Sequence, residues 1–383
     1  MSNVFDYLKW RGDLAFTQDQ PNAVDALIFS GLAYICYGSL AEAVPDCAVT
    51  LQEAAEEFFT FSDMEMRCRA KNDIELLRAA AATIRFGQCR ICMYRDQFVR
   101  EQETQFAAMT FLLDDGSIFL AFRGTDNTLV GWKEDFNMTF QQTIPAQRLA
   151  LQYVRDVALE HIAPMRIGGH SKGGNLAVFS AARSSPMIQQ RVLEVYNHDG
   201  PGFTQYLMGD PGYLAMVPRI KTFIPQSSVI GMLLEHEEPY TVIRSKTVGL
   251  LQHDLYTWDV LGREFIPVQE ITESSQYIDA TIKTWFADMT NQERTQLVDV
   301  MFSLLGTGGA DSVHDLIRPG NIRTYIKTLS SDENIRRVLS TEFMGLIEAA
   351  RKTKAKLEES KALLEEGKVA LLNENETSSG GDL

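Results

Sequence analysis

The sequence predicts an α/β fold with a mostly parallel sheet, helices on both faces of the sheet, and helical additions at both ends of the chain. The first reason is composition. Of the 383 residues, 45% are hydrophobic and 23% are charged, which is typical of a globular protein with a large core. The second reason is that short apolar segments alternate with amphipathic ones between residues 88 and 265, as in strands joined by helices. The third is that both ends of the chain have helical periodicity.

The first segment, residues 1–87, is predicted to be helical and to pack on the core. An amphipathic stretch begins at Asn22 and ends at Gly38, and these residue types commonly start and stop helices. Two further helical stretches are LQEAAEEFF and NDIELLRAAAATI. We assign no chemistry to this segment.

Residues 88–265 are predicted to form the α/β core. Two apolar runs separated by the turn DDGS indicate a pair of strands in QFAAMTFLLDDGSIFLAFRGT. Helical patterns occur in PAQRLALQYVRDVALEHI and GNLAVFSAAR, and strand patterns occur in MRIGG, LEVYNHDGPG, RIKTFIPQ and YTVIRS. Because these strands alternate with helices, we expect parallel pairing and an active site beyond the carboxyl ends of the strands.

Residues 266–372 are predicted to be helical again. The stretch from Asp332 to about Leu372 is rich in Glu, Lys, Ala and Leu, which favours one long helix. Its charges are interpreted as a solvated helix face, with an oligomerising helix as the alternative. Residues 373–383 read as a disordered tail. The sequence does not predict an oligomeric state.

Charge and cysteine usage exclude several classes of function. The formal charge of −15 opposes binding to nucleic acid and to anionic membranes. The first twenty residues lack the pattern of a signal peptide, and no apolar run reaches the roughly eighteen residues of a membrane span. The five cysteines, an odd number, predict reduced thiols and a cytoplasmic protein. Cys89 and Cys92 form a single CxxC pair, without the second pair that a zinc site needs, so we predict no metal and no cofactor.

The strongest local signal is the pentapeptide Gly169-His170-Ser171-Lys172-Gly173. It follows an apolar strand and precedes a helix, which is the context of a nucleophile elbow with a G-x-S-x-G motif. The glycines suit a sharp turn, and the Lys172 N–H would point to a developing oxyanion. We therefore predict that Ser171 is a catalytic nucleophile. The alternative is a glycine-rich turn with an incidental serine.

A serine nucleophile needs a histidine base, which in this architecture follows the serine and the acid in the chain. His253 lies in a loop after a late strand-like stretch and is the predicted base. His236, in a charged segment, and His314, in the helical third segment, remain open. The chain order excludes the other three histidines, which are His161, His170 and His198.

The predicted acid is Asp199, which ends the strand after that of Ser171 and precedes a Gly-Pro turn. An aspartate at such a place can instead cap a turn. The remaining candidates are Asp254, Glu235, Glu237 and Glu238.

Thr125 follows an apolar strand and an Arg-Gly turn, so its N–H and hydroxyl could complete an oxyanion hole. The chain resembles the class-three lipases, which are α/β-hydrolases. The resemblance lies in three motifs, AFRGT, WKEDF and IGGHSKGGNLA. The opening DYLKWRGDLAFTQ and the segment QHDLYTW resemble most an uncharacterised bacterial branch of that superfamily.

The resemblance implies that Ser171 is the nucleophile, that Thr125 and Lys172 form the oxyanion hole, and that His253 is the base. It also implies a structural role for Asp135. The chain departs from the lipases at Lys172, where they carry a hydrophobic residue. We expect its ammonium group to be solvated, with contact to an acidic substrate head group as the alternative.

A second departure concerns the acid. Lipases place it after a later strand, and the matching stretch IKTFIPQSSVIG offers Ser227 and Ser228 but no carboxylate. Asp199 would then be a relocated acid, an arrangement that some other lipases have. The following segment, SSVIGMLLEHEEPY, is interpreted either as a flexible cap over an apolar acyl pocket or as a short helix packed in the core.

These observations predict a serine hydrolase that cleaves carboxylic esters, with a lipid or acyl ester as its small-molecule substrate. Two alternatives remain. A catalytically silent binding or scaffold module is favoured by the missing carboxylate at the lipase position. An acyltransferase or thioesterase would use the same triad.

Overall fold

The computed structural model describes residues 2–38, 49–126, 128–308 and 318–378, with side chains through residue 359. Eight strands form the main sheet and two more form a small hairpin. In chain order they are β1 Val49–Thr50, β2 Arg90–Val99, β3 Thr104–Leu112, β4 Ile118–Phe122, β5 Met165–His170, β6 Val192–His198, β7 Ile220–Pro225, β8 Tyr240–Ile243, β9 Val260–Leu261 and β10 Glu264–Phe265.

Helices occupy most of the remaining chain that the structure describes. They are α1 Val4–Arg11, α2 Ala23–Leu32, α3 Leu51–Phe58, α4 Lys71–Ala81, α5 Ile84–Gly87, α6 Leu129–Asn137, α7 Pro145–Glu160, α8 Lys172–Arg183, α9 Pro186–Gln189, α10 Pro211–Met216, α11 Glu273–Ala287, α12 Asn291–Gly306, α13 Pro319–Ser331 and α14 Glu333–Ser378. Among these, no helix is both long and apolar enough to cross a membrane.

The predicted α/β fold is confirmed. The eight strands lie side by side in chain order, antiparallel from β1 to β4 and parallel from β4 to β8. The turn between β3 and β4 contains Gly116 at φ +81, a left-handed conformation that glycine adopts at little cost. The carboxyl ends of β4 to β7 meet at one edge of the sheet, where the segments that carry Thr125, Ser171 and Asp199 begin.

Each face of the sheet has its own apolar core because successive side chains of a strand point to opposite faces. In β4, Leu120 and Phe122 belong to the core formed with α7 and α8. Phe119 belongs instead to the core formed with the N-terminal helices. Its ring lies 4.8 Å from that of Phe29 in α2. The N-terminal segment is therefore the third layer of the fold.

The start of α2 agrees with the sequence, and its end does not. Asn22 caps the helix and Asp25 completes the capping box. The helix ends at Leu32 rather than at Gly38. The apolar pattern continues beyond Leu32 because Tyr34 and other side chains of the next, irregular segment are also buried.

The long helix predicted near the C-terminus is present as α14. It continues to Ser378, six residues beyond Leu372, so residues 373–378 are helical rather than part of a tail. No glycine or proline occurs among these six residues, so the sequence contains no strong stop signal there. Residues 379–383 lie outside the described part of the chain.

Candidate active site

Ser171 occupies a strained turn between β5 and α8. Its backbone lies at φ +60 and ψ −133, a conformation that a residue with a side chain rarely adopts. Its N–H donates to the carbonyl oxygen of His198 at 2.9 Å, which holds the turn against the end of β6. The side chain is 9% exposed, at the N-terminus of α8. This is the geometry of a nucleophile elbow.

Both glycines of the motif are required by close backbone packing. A Cβ atom on Gly169 would lie 2.2 Å from the carbonyl carbon of Gly173. A Cβ atom on Gly173 would lie 2.2 Å from the carbonyl oxygen of Phe122, at the end of β4. The predicted reason for the two glycines, a sharp turn, is confirmed, and the structure adds that neighbouring backbone lies close to both.

His253 and Asp199 lie in direct contact. The Nδ1 atom of His253 is 2.6 Å from Oδ2 of Asp199. A carboxylate accepts hydrogen bonds, so Nδ1 carries the proton and the neutral ring has its lone pair on Nε2. Asp199 is fully buried, and the His253 side chain is 27% exposed. No hydrogen bond joins His253 to Ser171 in this structure, and such bonds often tighten only when substrate is bound.

Asp199 is held by the neighbouring strand. It has a left-handed backbone, φ +54, and its N–H donates to the carbonyl oxygen of Phe223 in β7 at 2.8 Å. Its Oδ1 atom accepts a hydrogen bond of 2.5 Å from the Ser228 hydroxyl. Ser228 lies three residues after the end of β7, in the stretch that matches the one where lipases carry their acid. A serine at that place therefore orients a carboxylate that comes from the strand before it.

Most of the other candidate bases and acids that the structure describes contact groups outside the Ser171 turn. Both ring nitrogens of His236 are hydrogen-bonded, Nδ1 with Glu238 at 3.0 Å and Nε2 with the carbonyl oxygen of Gly231 at 2.9 Å. Asp254 faces Arg69 of the N-terminal layer at 3.8 Å. Glu235 faces Lys283 of α11 at 3.6 Å. Glu237 is exposed, and His314 lies outside the described residues.

The segment after β4 passes directly beside the elbow. A Cβ atom on Gly124 would lie 3.1 Å from that of Ser171, and the next residue is Thr125. The Thr125 hydroxyl donates to Oδ2 of Asp135 at 2.5 Å, so it is oriented by α6. Among the described residues, neither the Thr125 N–H nor the Lys172 N–H donates to a protein acceptor.

Asp135 is the titratable residue that is hydrogen-bonded to the Thr125 hydroxyl. Burial raises its pKa to about 6, an effect that the Lys172 ammonium and the Thr125 hydroxyl oppose. Its Oδ1 atom is out of contact with solvent, without a hydrogen bond, and 4.0 Å from Nζ of Lys172.

The expectation that the Lys172 ammonium is solvated is wrong, and the alternative of a substrate head group is not supported either. The side chain is fully buried. Its Nζ donates to the carbonyl oxygen and Oε1 of Gln105, at 2.8 and 3.0 Å, and to Oε2 of Glu134 at 2.9 Å. All three protons of the ammonium are thus used inside the protein, and Glu134 supplies the compensating charge that a buried lysine requires. The pair joins α6 to the start of α8.

The segment from Ser228 to Glu238 is not the short helix that one interpretation predicted. It consists of turns and bends, and its apolar side chains are half-buried. The N–H of Gly202 donates to the carbonyl oxygen of Leu233, and Phe203 pairs with Glu235. These backbone bonds replace those of a helix.

The CxxC cysteines are buried in apolar surroundings. Burial raises the pKa of the Cys92 thiol to about 11 and that of Cys89 further, which is the opposite of a reactive thiol. Among the described residues, no three His, Cys, Asp or Glu side chains are grouped as metal ligands would be.

The part of the chain that contains the elbow, His253 and Asp199 matches a known protein family. A family model described as Mbeg1-like matches residues 80–303, more than half of the chain. The chain belongs to the Mbeg1-like family. This is a lipase-like family, so family membership and the α/β fold together support a hydrolase. No curated protein matches the chain.

The Mbeg1-like match contains all the predicted site residues and leaves out part of their surroundings. Thr125, Ser171, Asp199 and His253 lie inside it. Tyr34, whose hydroxyl is 2.9 Å from Nδ1 of His170, lies outside it. The sequence does not predict the role of Tyr34, because an aromatic residue in an amphipathic stretch has no signal beyond packing. The sequence does not predict the role of Glu134 either, because nothing in it shows that Lys172 is buried.

Proposed function

We propose that this protein is a serine hydrolase that cleaves carboxylic esters through an acyl-enzyme on Ser171. One observation carries the proposal. A serine in the strained elbow conformation follows His170, whose ring centroid lies 4.6 Å from that of His253, and Nδ1 of His253 is bound to a buried carboxylate. Elbow, base and orienting acid are the three parts that activate a serine hydroxyl.

In the first half of the reaction, Ser171 Oγ attacks the ester carbonyl carbon while its proton passes to Nε2 of His253. The carbonyl oxygen becomes an oxyanion, which accepts hydrogen bonds from the N–H groups of Thr125 and Lys172. Asp199 keeps the proton of the neutral ring on Nδ1 and stabilises the imidazolium that forms. The tetrahedral intermediate then collapses, and the alcohol leaves with the proton from His253.

In the second half, His253 takes a proton from water as the water attacks the acyl-enzyme. The second tetrahedral intermediate collapses, Ser171 recovers its proton, and the carboxylic acid is released. The Lys172 side chain takes no part, because its ammonium protons are bound by Gln105 and Glu134.

A narrow cavity one helical turn beyond Ser171 is the proposed site for the acyl chain. Its volume is only about 10 Å³, far below the roughly 300–1,000 Å³ of pockets for drug-sized ligands. A long acyl chain would have to displace the side chains that line it, so we expect short acyl chains to be preferred. Its apolar lining residues are Met138, Phe179, Phe203, Leu207 and Leu234.

The test is hydrolysis of p-nitrophenyl esters of increasing acyl length. We expect activity to be highest for short chains and to disappear in Ser171→Ala and His253→Ala. Ser185→Ala changes an exposed serine next to α8, and His161→Ala changes a histidine that contacts Cys92 rather than an acid. Both controls should keep full activity. Hydrolysis that survives in Ser171→Ala would contradict the proposal, and an inactive parent protein that is well folded would favour the binding-module alternative.

A further inference from the structure

His170, the residue before Ser171, connects the N-terminal layer to the proposed base. Its ring is fully buried. The Nδ1 atom lies 2.9 Å from the Tyr34 hydroxyl, just beyond the end of α2. The Nε2 atom lies 2.8 Å from the carbonyl oxygen of His253. Because Tyr34 precedes residue 80, this bridge begins outside the segment that the family model matches.

The two partners fix the protonation of the ring. A carbonyl oxygen only accepts, so Nε2 of His170 carries the proton and Nδ1 of the neutral ring accepts from Tyr34. Burial, helped by His253 and Arg69, holds the pKa of His170 well below its ordinary value. Burial also raises the pKa of Tyr34, so the phenol keeps the proton it donates. The remaining titratable neighbour, His198, has its pKa lowered to about 4 by burial and is neutral too.

The same layer holds the chain on the other side of His253. The Arg69 guanidinium lies 4.3 Å from the centre of the Tyr34 ring and 3.8 Å from Asp254, the residue after His253. Asp73 in α4 lies 3.5 Å from Arg69 and accepts a hydrogen bond of 2.6 Å from Tyr256. The main chain around His253 is thus fixed by the N-terminal layer, whereas its ring is fixed by Asp199.

We infer that His170 and Tyr34 are positioning residues for the reaction, holding His253 in place through its carbonyl oxygen while His170 stays neutral. The inference rests on the proposed function of Ser171. His253 becomes positively charged when it takes the serine proton. Its ring centroid lies only 4.6 Å from that of His170, so a second positive charge there would oppose the step. A neutral ring that donates from Nε2 avoids this cost.

The test uses the full chain and compares three variants by their second-order rate of labelling with a fluorophosphonate. His170→Gln keeps an N–H that can donate to the His253 carbonyl oxygen, whereas His170→Met has similar length and no donor. We expect labelling to slow by about tenfold or more in His170→Met, because small displacements of catalytic groups are costly. His170→Gln should recover most of this rate. Tyr34→Phe should slow labelling less than His170→Met, and KM for a short-chain ester should stay unchanged in all three variants.

A second readout does not depend on activity or on the folding of His170→Met. In nitrogen-15 NMR of histidine-labelled protein, the His170 ring should have the Nε2–H tautomer and remain neutral from about pH 8 to about pH 5, as should the ring of His198, whose Nε2 also faces a carbonyl oxygen. The signals of the His170 ring should be absent from His170→Gln. Labelling of folded His170→Met at the parent rate would overturn the inference, and so would a His170 ring that carries its proton on Nδ1 or becomes charged in this range. A parent protein that is not labelled, with the NMR result as expected, would overturn the proposed function and not the tautomer assignment.

Discussion

The two helical ends of the chain relate to the sheet in different ways. The N-terminal helices share one apolar core with the sheet, in which Phe29 packs on Phe111 and Phe119 at ring centroid distances of 4.6 and 4.8 Å. The C-terminal helices have a small cluster of their own, whose members are 7–9% exposed. These are Val300, Leu304, Ile335 and Val338.

The ion pairs of the N-terminal layer are also more buried than those of the C-terminal helices. In the N-terminal layer, Arg85 is fully buried and makes two hydrogen bonds to Asp25, at 2.7 and 2.6 Å. The C-terminal helices make partly exposed ion pairs with the rest of the chain, such as Lys133 with Asp299. The N-terminal helices are therefore part of the same folding unit as the sheet, because they cover one of its faces. We expect damage to the N-terminal layer to reach the site, and damage to α12, α13 or α14 to stay local. Helix α11 differs from these three, because its Ser275 hydroxyl donates to the carbonyl oxygen of Ser228.

The largest expected effect is that of Arg85→Met. The substitution leaves the Asp25 carboxylate buried without its cation, which should lower the free energy of unfolding by about 3–5 kcal/mol. The matched control is Lys352→Met, because Lys352 pairs with Asp288, the residue after α11, at a site where both side chains are about half exposed. Its cost should be no more than about 1 kcal/mol. Denaturant titration of both variants measures the two values, and equal losses would contradict the comparison.

The next prediction compares a Leu→Ala substitution in the N-terminal layer with one in the C-terminal helices. Leu76 in α4 is fully buried and Leu304 in α12 is 7% exposed. We expect Leu76→Ala to cost about 3–5 kcal/mol and Leu304→Ala about 2 kcal/mol, because the cavity is more enclosed at the first site. Hydrogen exchange should show that Leu304→Ala loosens only α12 to α14, and fluorophosphonate labelling of that variant should keep the parent rate. Slower labelling of Leu304→Ala would show that the C-terminal helices support the site after all.

The smallest effect concerns α6, which carries Asp135 and touches the C-terminal helices through Phe136 and Phe302. Because burial raises the Asp135 pKa from 3.8 to about 6, the folded state binds this proton more tightly than the unfolded state does. Below about pH 4 the group is protonated in both states, and its destabilising effect grows as the pH rises to about 6. Asp135→Asn should therefore raise the free energy of unfolding at pH 7 by about 1–3 kcal/mol. At pH 4 the variant should match the parent, and an equal change at both pH values would contradict this explanation.

The sequence alone predicted those parts of the site that depend on local geometry. The spacing of Gly169 and Gly173 around Ser171, between a strand and a helix, is a backbone requirement that a sequence displays directly. The sequence places Asp199 at the end of one strand and His253 in a loop after a later strand, and parallel pairing brings the carboxyl ends of such strands to one edge of the sheet.

The features of the site that the sequence does not predict depend on contacts between residues far apart in the chain. The burial of Lys172 depends on Glu134, 38 residues earlier in the chain. Tyr34 reaches His170 only because the N-terminal helices cover one face of the sheet. Amphipathic helices show that one side is buried, but they do not show which surface they cover.

The most direct test of the central claim is intact-mass spectrometry of the protein after treatment with a fluorophosphonate. An activated Ser171 predicts a single adduct, located on Ser171 by peptide mapping. The adduct should be absent from Ser171→Ala and His253→Ala, and its formation should be slower in Asp199→Asn. A folded parent protein that gains no adduct, while a control serine hydrolase is labelled in the same mixture, would contradict the claim.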